Sequence, residues 1–406
     1  MHFFPIISTL RRHRTAALLI ILEIAFTCAI VCNAIFLITD RLARMDRSSG
    51  VVEEELLRVQ IAGIGKATDA MALTQQDLVA LRGIPGVKSV STTNMVPFGG
   101  SSWNTSMSTI PDDANAPING AMYMGTQDLV ETLGVQIVAG RDFTPEEYVE
   151  FEGVSSRKQQ PASIIITRGV AERLFPGQSA VGKPLYVTGK EPQIVVGIVD
   201  RLGRPNDYNG AIQREFAMIL PVLLPYTVGG TYVLRVDPTR RAEVLAAVDP
   251  TLDKVDPRRI MLKNQDFAEI RAGFFKQDRA MAYLLLGVSL ALLIITALGV
   301  VGLASFWVTQ RTRQIGIRRA LGATRTDILR YFQTENFILA TLGIILGMAL
   351  AYAINLWLMD KYQVARLPAE FLPIGALLLW LLGQIAVLGP ALRASMIPPA
   401  IATRSV

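Results

Sequence analysis

The sequence predicts a membrane protein: an α-helical four-span bundle that carries one large extracytoplasmic α+β domain. Of the 406 residues, 51% are hydrophobic and 18% are charged. Most of the apolar residues fall into four runs, and each run approaches or exceeds the roughly 20 residues that a helix needs to cross the hydrocarbon core. The range 39–280 shows mixed helix and strand patterns and separates the first run from the other three.

The four predicted spans cover residues 15–38, 281–308, 337–359 and 371–392. The apolar core of the first span is too long for a signal peptide, and no small-residue cleavage site follows it. Cys28 and Cys32 lie in this span one helical turn apart. We interpret them as small apolar fillers on one helix face, with a redox or metal role as the alternative.

Arginines beside the spans predict the orientation, because short arginine-rich loops stay on the cytoplasmic side. Residues 310–332 hold six arginines and a single acid, Asp327, and further arginines precede the first span and follow the fourth. We therefore expect residues 1–14 and 393–406 in the cytoplasm, and an external turn at 360–370. The net charge of +6 is explained by attraction of these flanks to the anionic headgroups of the lipid bilayer, so nucleic-acid binding is not supported.

The connection at 309–336, between the second and third spans, is the candidate functional segment. Gly322 can end one short helix, and Thr324 with Asp327 resembles a capping box that starts another. We expect two short helices at the membrane surface. Their apolar contacts would come from Ile315, Ile317, Leu321, Ile328 and Leu329. The alternative is a plain topogenic loop that binds nothing.

The two ends of the external range repeat one pattern of strand, helix and strand. The first unit is predicted at 56–61, 74–81 and 87–92, with Thr74 as the helix cap, and the second at 231–236, 239–248 and 259–263. Two such units can pair into a split sheet of ferredoxin-like type. The first subdomain then comprises 56–95 and 227–264.

The intervening residues 96–226 are predicted to form an inserted α/β subdomain. A loop-like stretch at 97–117 opens it, and strands at 163–167, 184–187 and 193–199 follow, with a helix that ends at Leu174. After the second unit, residues 265–280 lead into the second span.

These residues are predicted to form a stalk. Phe267, Ile270, Phe274 and Met281 fall on one helical face, so the stretch can extend the second span outward as an amphipathic helix. Its apolar stripe would need a partner, either the extension of the first span or a second subunit.

No catalytic or metal-binding constellation emerges from the sequence. The only histidines, His2 and His13, lie at the cytoplasmic start, so neither a histidine-based triad nor a histidine metal site can form outside. Residues 65–66 and 182–183 are both Gly-Lys, but they lack the other residues of a phosphate loop. We expect no catalytic residue, metal or cofactor on this chain, and any ATP and Mg would be bound by another chain.

Two further features lie inside the spans. Glu23 is a carboxyl deep in the first span, which is costly unless it is paired or neutral. It is either a packing residue, protonated or hydrogen-bonded to a neighbouring helix, or a functional group. In the third span Gly343 and Gly347 form a G-x-x-x-G pair, which permits close helix packing without specifying a dimer.

Four local motifs complete the sequence pattern. They are Gly-Arg-Asp-Phe at 140–143, Leu-Phe-Pro-Gly at 174–177 with Gly-Lys at 182–183, Val-Val-Gly-Ile-Val at 195–199, and Ile-Gly-Ile-Arg-Arg-Ala-Leu-Gly-Ala at 315–323. With one span, a large external domain and then three spans, the chain resembles the permease subunits of the MacB/FtsX family of bacterial ABC transporters over nearly its full length.

The resemblance implies a non-catalytic subunit of the bacterial inner membrane that acts as a mechanical transmitter. The two external subdomains would be a porter and a sabre-like subdomain. The segment that would contact the ATPase as a coupling helix comprises Ile315, Gly316, Ile317, Arg318, Arg319, Ala320, Leu321, Gly322 and Ala323. Because the sequence holds no fused ATPase, a separate ABC ATPase dimer that binds ATP and Mg is implied.

The other implied partners are a second copy of the permease or a paralogue, a periplasmic adaptor and an outer-membrane channel. The implied function is export of a drug, peptide or lipid-type substrate. The alternative is an FtsX-like signalling subunit that regulates an external partner and transports nothing.

Overall fold

The computed structural model describes residues 14–64, 69–187, 190–207, 212–362 and 366–398. The chain divides into two compact units, one of Met1–Asp46 with Gln277–Val406 and the other of Arg47–Lys276. The second unit is therefore shorter at both ends than the range 39–280 predicted for the external domain. The difference arises at its start because the first helix continues past residue 38 to Met45.

Helices and strands are numbered in chain order. The helices are α1 (Arg14–Met45), α2 (Ala70–Arg82), α3 (Leu129–Leu133), α4 (Phe151–Ser155), α5 (Arg168–Leu174), α6 (Arg241–Val255), α7 (Phe267–Phe274), α8 (Lys276–Gln310), α9 (Thr312–Ala320), α10 (Arg325–Tyr362) and α11 (Phe371–Ser395). The strands are β1 (Leu56–Gly63), β2 (Val87–Thr93), β3 (Asn104–Met107), β4 (Ile118–Met124), β5 (Ile137–Gly140), β6 (Val149–Glu150), β7 (Ser163–Thr167), β8 (Pro184–Leu185), β9 (Gln193–Val199), β10 (Ala217–Leu220), β11 (Val222–Leu223), β12 (Thr231–Val236) and β13 (Arg259–Asp266).

Among the described residues, four helices are long and apolar enough to cross a membrane: α1, α8, α10 and α11. They confirm the four predicted spans. One face of α1 packs against α10 and α11, and the resulting core includes Cys28, Cys32, Ile344 and Leu379. Both cysteines are buried and their Sγ atoms lie 3.9 Å apart, as expected of small residues that fill a helix interface.

The segment predicted as two short surface helices contains only one. The expected capping box is present, because Thr324 N donates to Asp327 Oδ2 over 2.9 Å and Asp327 N donates to Thr324 Oγ1 over 3.2 Å. The helix that it starts, however, is α10, which runs unbroken for 38 residues into the third span. The prediction of a second short helix was wrong because no proline or other helix-ending signal lies between Arg325 and the apolar run.

The two ends of the external unit form the predicted split sheet. Its four strands are antiparallel neighbours in the order β13-β1-β12-β2, so that β12 lies between the two parallel strands β1 and β2. Residues of α2 and α6 join the strands in one apolar core that includes Val59, Leu81, Leu234 and Val248. This is the ferredoxin-like arrangement.

Helix α2 begins one turn earlier than predicted. The side chain of Asp69 accepts a hydrogen bond from Ala72 N over 2.9 Å, so Asp69 and not Thr74 is the N-cap. Thr74 instead lies inside the helix, where its hydroxyl donates to Ala70 O over 2.7 Å and accepts from Tyr226 N over 2.8 Å. Its role is to attach α2 to the chain segment before β12.

The inserted residues form a second sheet with the strand order β3-β4-β10-β7-β9-β5, and β8 pairs with β9. The strands predicted at 163–167 and 193–199 are present, whereas β8 ends at Leu185, before the predicted end at residue 187. The apolar core includes Ile164, Ile166, Val195 and Met218.

Two of the local motifs meet at the pair of strands β5 and β9. Gly140 pairs with Gly197, and a Cβ at Gly140 would lie 2.1 Å from Val196 O, while one at Gly197 would lie 2.4 Å from Arg141 O. Only glycine permits this close approach of two backbones. Next in the chain, Arg141 donates to both carboxylate oxygens of Glu147, over 2.7 and 2.9 Å, which fixes the turn that follows β5.

The predicted stalk at 265–280 is not a continuous extension of the second span. Strand β13 continues to Asp266, whose side chain caps α7 by accepting from Glu269 N over 2.8 Å, and α7 ends at Phe274. Phe267 is buried in the external unit, where its ring centroid lies 6.2 Å from that of Phe98. Phe267 and Ile270 of the apolar stripe are thus buried, whereas Met281 is exposed. The predicted continuous helix is absent because Asp266 caps α7 and α7 ends before α8 begins.

Candidate functional site

The candidate site is built around α9, the short helix between the second and third spans. A single residue, Arg311, separates α8 from α9. At the other end Gly322 adopts φ +100°, and Ala323 N donates to Arg318 O over 3.1 Å. The left-handed conformation that glycine permits lets the chain leave α9 and enter α10 within four residues.

One side of α9 is packed against the membrane unit. Ile315 is buried in a cluster with Ile328, Phe332 and Ala394, and these residues come from the start of α10 and the end of α11. Gly316 is buried as well. Because Gly316 is buried, a larger residue at this position would first disturb packing inside this chain.

The other side of α9 is exposed. Ile317 is 45% exposed and Leu321 is 83% exposed, although both are large apolar residues. Arg313, Arg318 and Ala320 are exposed beside them. The exposed side thus combines an apolar centre with flanking guanidinium groups, a composition that suits a protein contact.

The arginines of the candidate segment have different roles. Arg319 Nη1 donates to Ser395 O over 2.7 Å and to Ile397 O over 3.2 Å, which joins α9 to the end of α11. Arg318 lies with its guanidinium carbon 4.7 Å from the ring centroid of Tyr331. The two neighbours are therefore not equivalent, since Arg319 is used inside the chain and Arg318 is on the exposed side.

Sequence reasoning missed a buried ion pair at the base of α9. Arg311 Nη1 donates to both carboxylate oxygens of Glu335, over 2.8 and 3.0 Å, and the two side chains are 8% and 2% exposed. The guanidinium of Arg311 also lies 5.5 Å from the ring centroid of Trp307. An acid two residues before the apolar run of the third span was the signal available in the sequence. The pair fixes the turn between α8 and α9 against α10.

Glu23 lies where α1 meets α8. A Cβ at Gly299 would lie 2.6 Å from each of its carboxylate oxygens, and one helical turn farther Thr27 Oγ1 lies 2.8 Å from Thr296 Oγ1. The described residues provide no hydrogen-bond partner for the Glu23 carboxyl. The carboxyl is thus accommodated by a glycine on the facing helix, and whether it has more than a packing role stays a prediction.

The two glycines of the third span pack against α1. A Cβ at Gly343 would lie 2.8 Å from Ile24 Cβ, and one at Gly347 would lie 2.5 Å from Cys28 Cβ. The G-x-x-x-G pair is therefore used for helix contact within this chain. Among the described residues no group of three or more His, Cys, Asp or Glu side chains could hold a metal ion.

The architecture described so far defines a class of protein: a four-span integral membrane subunit with a two-lobed domain inserted after its first span. Comparison with known families narrows this class. Residues 17–252 match the model of the MacB-like periplasmic core domain, and residues 286–399 match that of the FtsX-like permease C-terminal domain. The chain belongs to this MacB-like and FtsX-like family of ABC transporter permeases, and it is accordingly a protein of the inner membrane.

Individual relatives agree with the family. The chain is 25% identical over 306 residues to the uncharacterized ABC transporter permease YknZ of Bacillus subtilis, covering 72% of this chain and 69% of the relative. It is 26% identical over 254 residues to the macrolide export ATP-binding/permease protein MacB of Chromobacterium violaceum, covering 59% of this chain but only 36% of that protein.

Among solved structures, the periplasmic region of MacB from Actinobacillus actinomycetemcomitans is similar at 12% identity and a TM-score of 0.34, covering 57% of this chain and 97% of that structure.

Proposed function

We propose that the chain is the transmembrane subunit of an ABC transporter and that α9 is its coupling helix, through which a separate ATPase dimer drives movement of the external domain. The observation that carries the proposal is the exposure of Leu321. This leucine is a large apolar residue, 83% exposed, on a segment whose opposite side is buried against the bundle. Exposing such a side chain to water is unfavourable, and a groove on a partner protein would remove this cost.

The anchoring of α9 supports the same role. A helix that transmits force must be held firmly by its own subunit, and Arg311 with Glu335 at one end and Arg319 with Ser395 at the other provide such attachment. Six of the residues 315–323 serve the proposal in two groups. Ile315, Gly316 and Arg319 hold the helix, whereas Ile317, Ala320 and Leu321 face the ATPase, and Arg318 lies against the ring of Tyr331.

The orientation and partners follow from this role. Coupling to an ATPase requires α9 on the cytoplasmic side, which places both termini there and the unit Arg47–Lys276 outside. The ATPase would bind ATP and Mg, and this chain would have no catalytic role. Export of a drug, peptide or lipid-type substrate is our proposal for the transported class. For an exporter we propose three further partners: a second permease copy or paralogue, a periplasmic adaptor and an outer-membrane channel.

A signalling role is the second candidate, favoured by the FtsX-like match over residues 286–399. Both functions use α9 in the same way, so they differ only in what the external domain acts on. An exporter complex is expected to hydrolyse ATP faster when its substrate is added, and to lose export when hydrolysis is blocked. A signalling complex would instead change the activity of an external partner protein.

The coupling assignment can be tested at Leu321. We expect Leu321→Ser to weaken association with the co-expressed ATPase about tenfold or more, because a buried leucine contributes about 1.5–3 kcal/mol and 1.4 kcal/mol corresponds to a factor of ten. The measurements are co-purification of the ATPase and stimulated hydrolysis. Met396→Ser is the matched control, because Met396 is also a large apolar residue, 60% exposed, but lies after α11. Equal association of the Leu321→Ser protein and the native protein would reject α9 as the contact.

A further inference from the structure

A small cavity lies between α9 and the start of α10. Its volume is about 40 Å³, which gives room for about three oxygen-sized groups. Arg311, Gln314, Arg318 and Tyr331 line it with polar or aromatic groups, and Ile315 and Phe332 contribute apolar walls. The cavity is thus too small for an organic molecule but large enough for the oxygen atoms at one end of a ligand.

Arg311, which lines the cavity, has a hydrogen-bond donor without an acceptor. Arg311 uses Nη1 for both oxygens of Glu335, but its buried Nη2 donates to no described residue. This side chain is 92% buried, since only 8% of it is exposed. A buried guanidinium N–H without an acceptor is costly, so the geometry favours a ligand that brings acceptor oxygens.

The charges at the cavity favour an anion. The ion pair of Arg311 and Glu335 is neutral as a unit. Arg318 adds a positive charge, and its contact in the structure is with the ring of Tyr331. No acid is among the residues that line the cavity. Arginines that present several N–H donors are well matched to phosphate oxygens.

The position along the spans indicates where such a phosphate comes from. Arg311 lies three residues after the predicted end of the second span, and Phe332 lies five residues before the predicted start of the third. At 1.5 Å per residue the cavity is about 5–8 Å beyond the apolar runs. This is the depth of the headgroup layer, which extends about 5–8 Å on each side of the hydrocarbon core.

We propose that this cavity is a binding site for the headgroup phosphate of an anionic phospholipid. The non-ester oxygens would accept from Arg311 Nη2 and from Arg318, while the glycerol end of the lipid lies toward the membrane. Basic pockets between spans are a known type of lipid site. The bound phosphate would lie between α9 and the start of α10, with both donors on the side of α9. The proposal requires that α9 lies at the membrane surface and does not depend on contact with an ATPase.

The test uses the purified full-length chain without an ATPase, so that its outcome is independent of the proposed coupling. Binding of phosphatidylglycerol and of phosphatidylcholine is measured by native mass spectrometry, and inorganic phosphate is added in a separate titration. We expect phosphatidylglycerol to bind more tightly than phosphatidylcholine. Arg318→Gln is expected to weaken phosphatidylglycerol binding about tenfold, the size of one charge-assisted contact.

Arg313→Gln is the matched control, because it removes the same charge from the exposed side of α9 without touching the cavity. We expect it to change phosphatidylglycerol binding by less than about twofold. Because Arg318 is exposed, we expect the Arg318→Gln protein to fold normally. Unchanged thermal unfolding in phosphatidylcholine verifies this. Equal losses in both variants would show general surface attraction and overturn the site. Inorganic phosphate that binds as tightly as phosphatidylglycerol and displaces it would overturn the lipid as its occupant.

Discussion

Arg319 Nη1 donates to the main-chain carbonyl oxygen of Ser395 over 2.7 Å, and this bond joins the helix between the second and third spans to the end of the fourth. A second bond reaches Ile397 O over 3.2 Å. Since carbonyl groups at a helix end lack intrahelical partners, the guanidinium satisfies acceptors that α11 leaves open. The contact makes Arg319 part of the bundle, although it lies in the most basic segment of the chain.

The first prediction concerns this bond. We expect Arg319→Ala to lower the stability of the membrane unit by about 1–3 kcal/mol, the usual contribution of hydrogen bonds from a charged group. Thermal unfolding of the purified chain in detergent measures the effect. Arg313→Ala is the control, because Arg313 is an exposed arginine of the same helix and should have little effect. Equal stability of the two variants would contradict an anchoring role for Arg319.

The second prediction concerns the glycines of the third span. Gly347→Ala places a methyl group 2.5 Å from Cys28 Cβ and 2.7 Å from Ala25 O, so α1 and α10 must separate at a cost of about 1–3 kcal/mol. Gly302→Ala in α8 adds the same methyl group where nothing lies within 4 Å and should be neutral or slightly stabilising. Thermal unfolding of both variants provides the comparison. A neutral Gly347→Ala variant would argue against this packing.

The third prediction concerns Glu23. If it is a packing residue, Glu23→Gln should keep near-normal function, while Glu23→Lys should disrupt folding or assembly, because the longer side chain does not fit against Gly299. The measurements are expression of folded protein and stimulated ATP hydrolysis in the complex. A large loss of activity in a well-folded Glu23→Gln protein would instead indicate that the proton on this carboxyl matters.

The fourth prediction concerns pH and the external unit. The Arg141 guanidinium holds the pKa of Glu147 at about 2, below its usual 4.5. A lowered pKa in the folded state stabilises the fold above the unfolded pKa, and the contribution is lost as the pH falls from about 4.5 through about 2. We expect Glu147→Gln to be less stable than the native chain at neutral pH, with a difference that shrinks across this window. Glu152→Gln, at an exposed acid, is the control for the loss of one negative charge.

The fifth prediction concerns orientation. In a background without Cys28 and Cys32, Ser101→Cys should react with an impermeant thiol reagent in intact spheroplasts, and Thr324→Cys should not. The expected contrast follows from the arginines beside Thr324, which oppose transfer across the bilayer. Labelling of the Thr324→Cys variant from outside would reverse the proposed orientation and exclude α9 as a contact for a cytoplasmic ATPase.

Long patterns in the sequence predicted the fold well. The four apolar runs and the repeated strand, helix and strand units contain enough residues for their periodicity to be unambiguous, and both appear in the structure. Short-range details were less predictable. Thr74 and Asp69 are both good capping residues, and only the contact with Tyr226 N in the folded chain decides that Thr74 lies inside α2.

The candidate site shows the same limit. Its location between two spans could be predicted, but the side of α9 that faces the bundle could not, because apolar and basic residues occur on both sides of this nine-residue helix. The use of Arg319 by α11 depends on a residue 76 positions away, and the cluster that buries Ile315 includes Ala391 and Ala394 of α11. The pair of Arg311 and Glu335 was missed because it joins two residues 24 positions apart, on either side of α9 in the chain.

The unbroken course of α10 has a mechanical consequence. At 1.5 Å per residue its 38 residues span about 57 Å. The helix is thus a long rod that begins at the turn around Thr324. A tilt of about 5° at that turn displaces the opposite end by about 5 Å when the helix stays rigid. If two separate short helices stood in its place, the joint between them would bend and would not transmit the rotation. With a rigid helix, a small rotation at one membrane surface would become a sideways displacement of about 5 Å at the other.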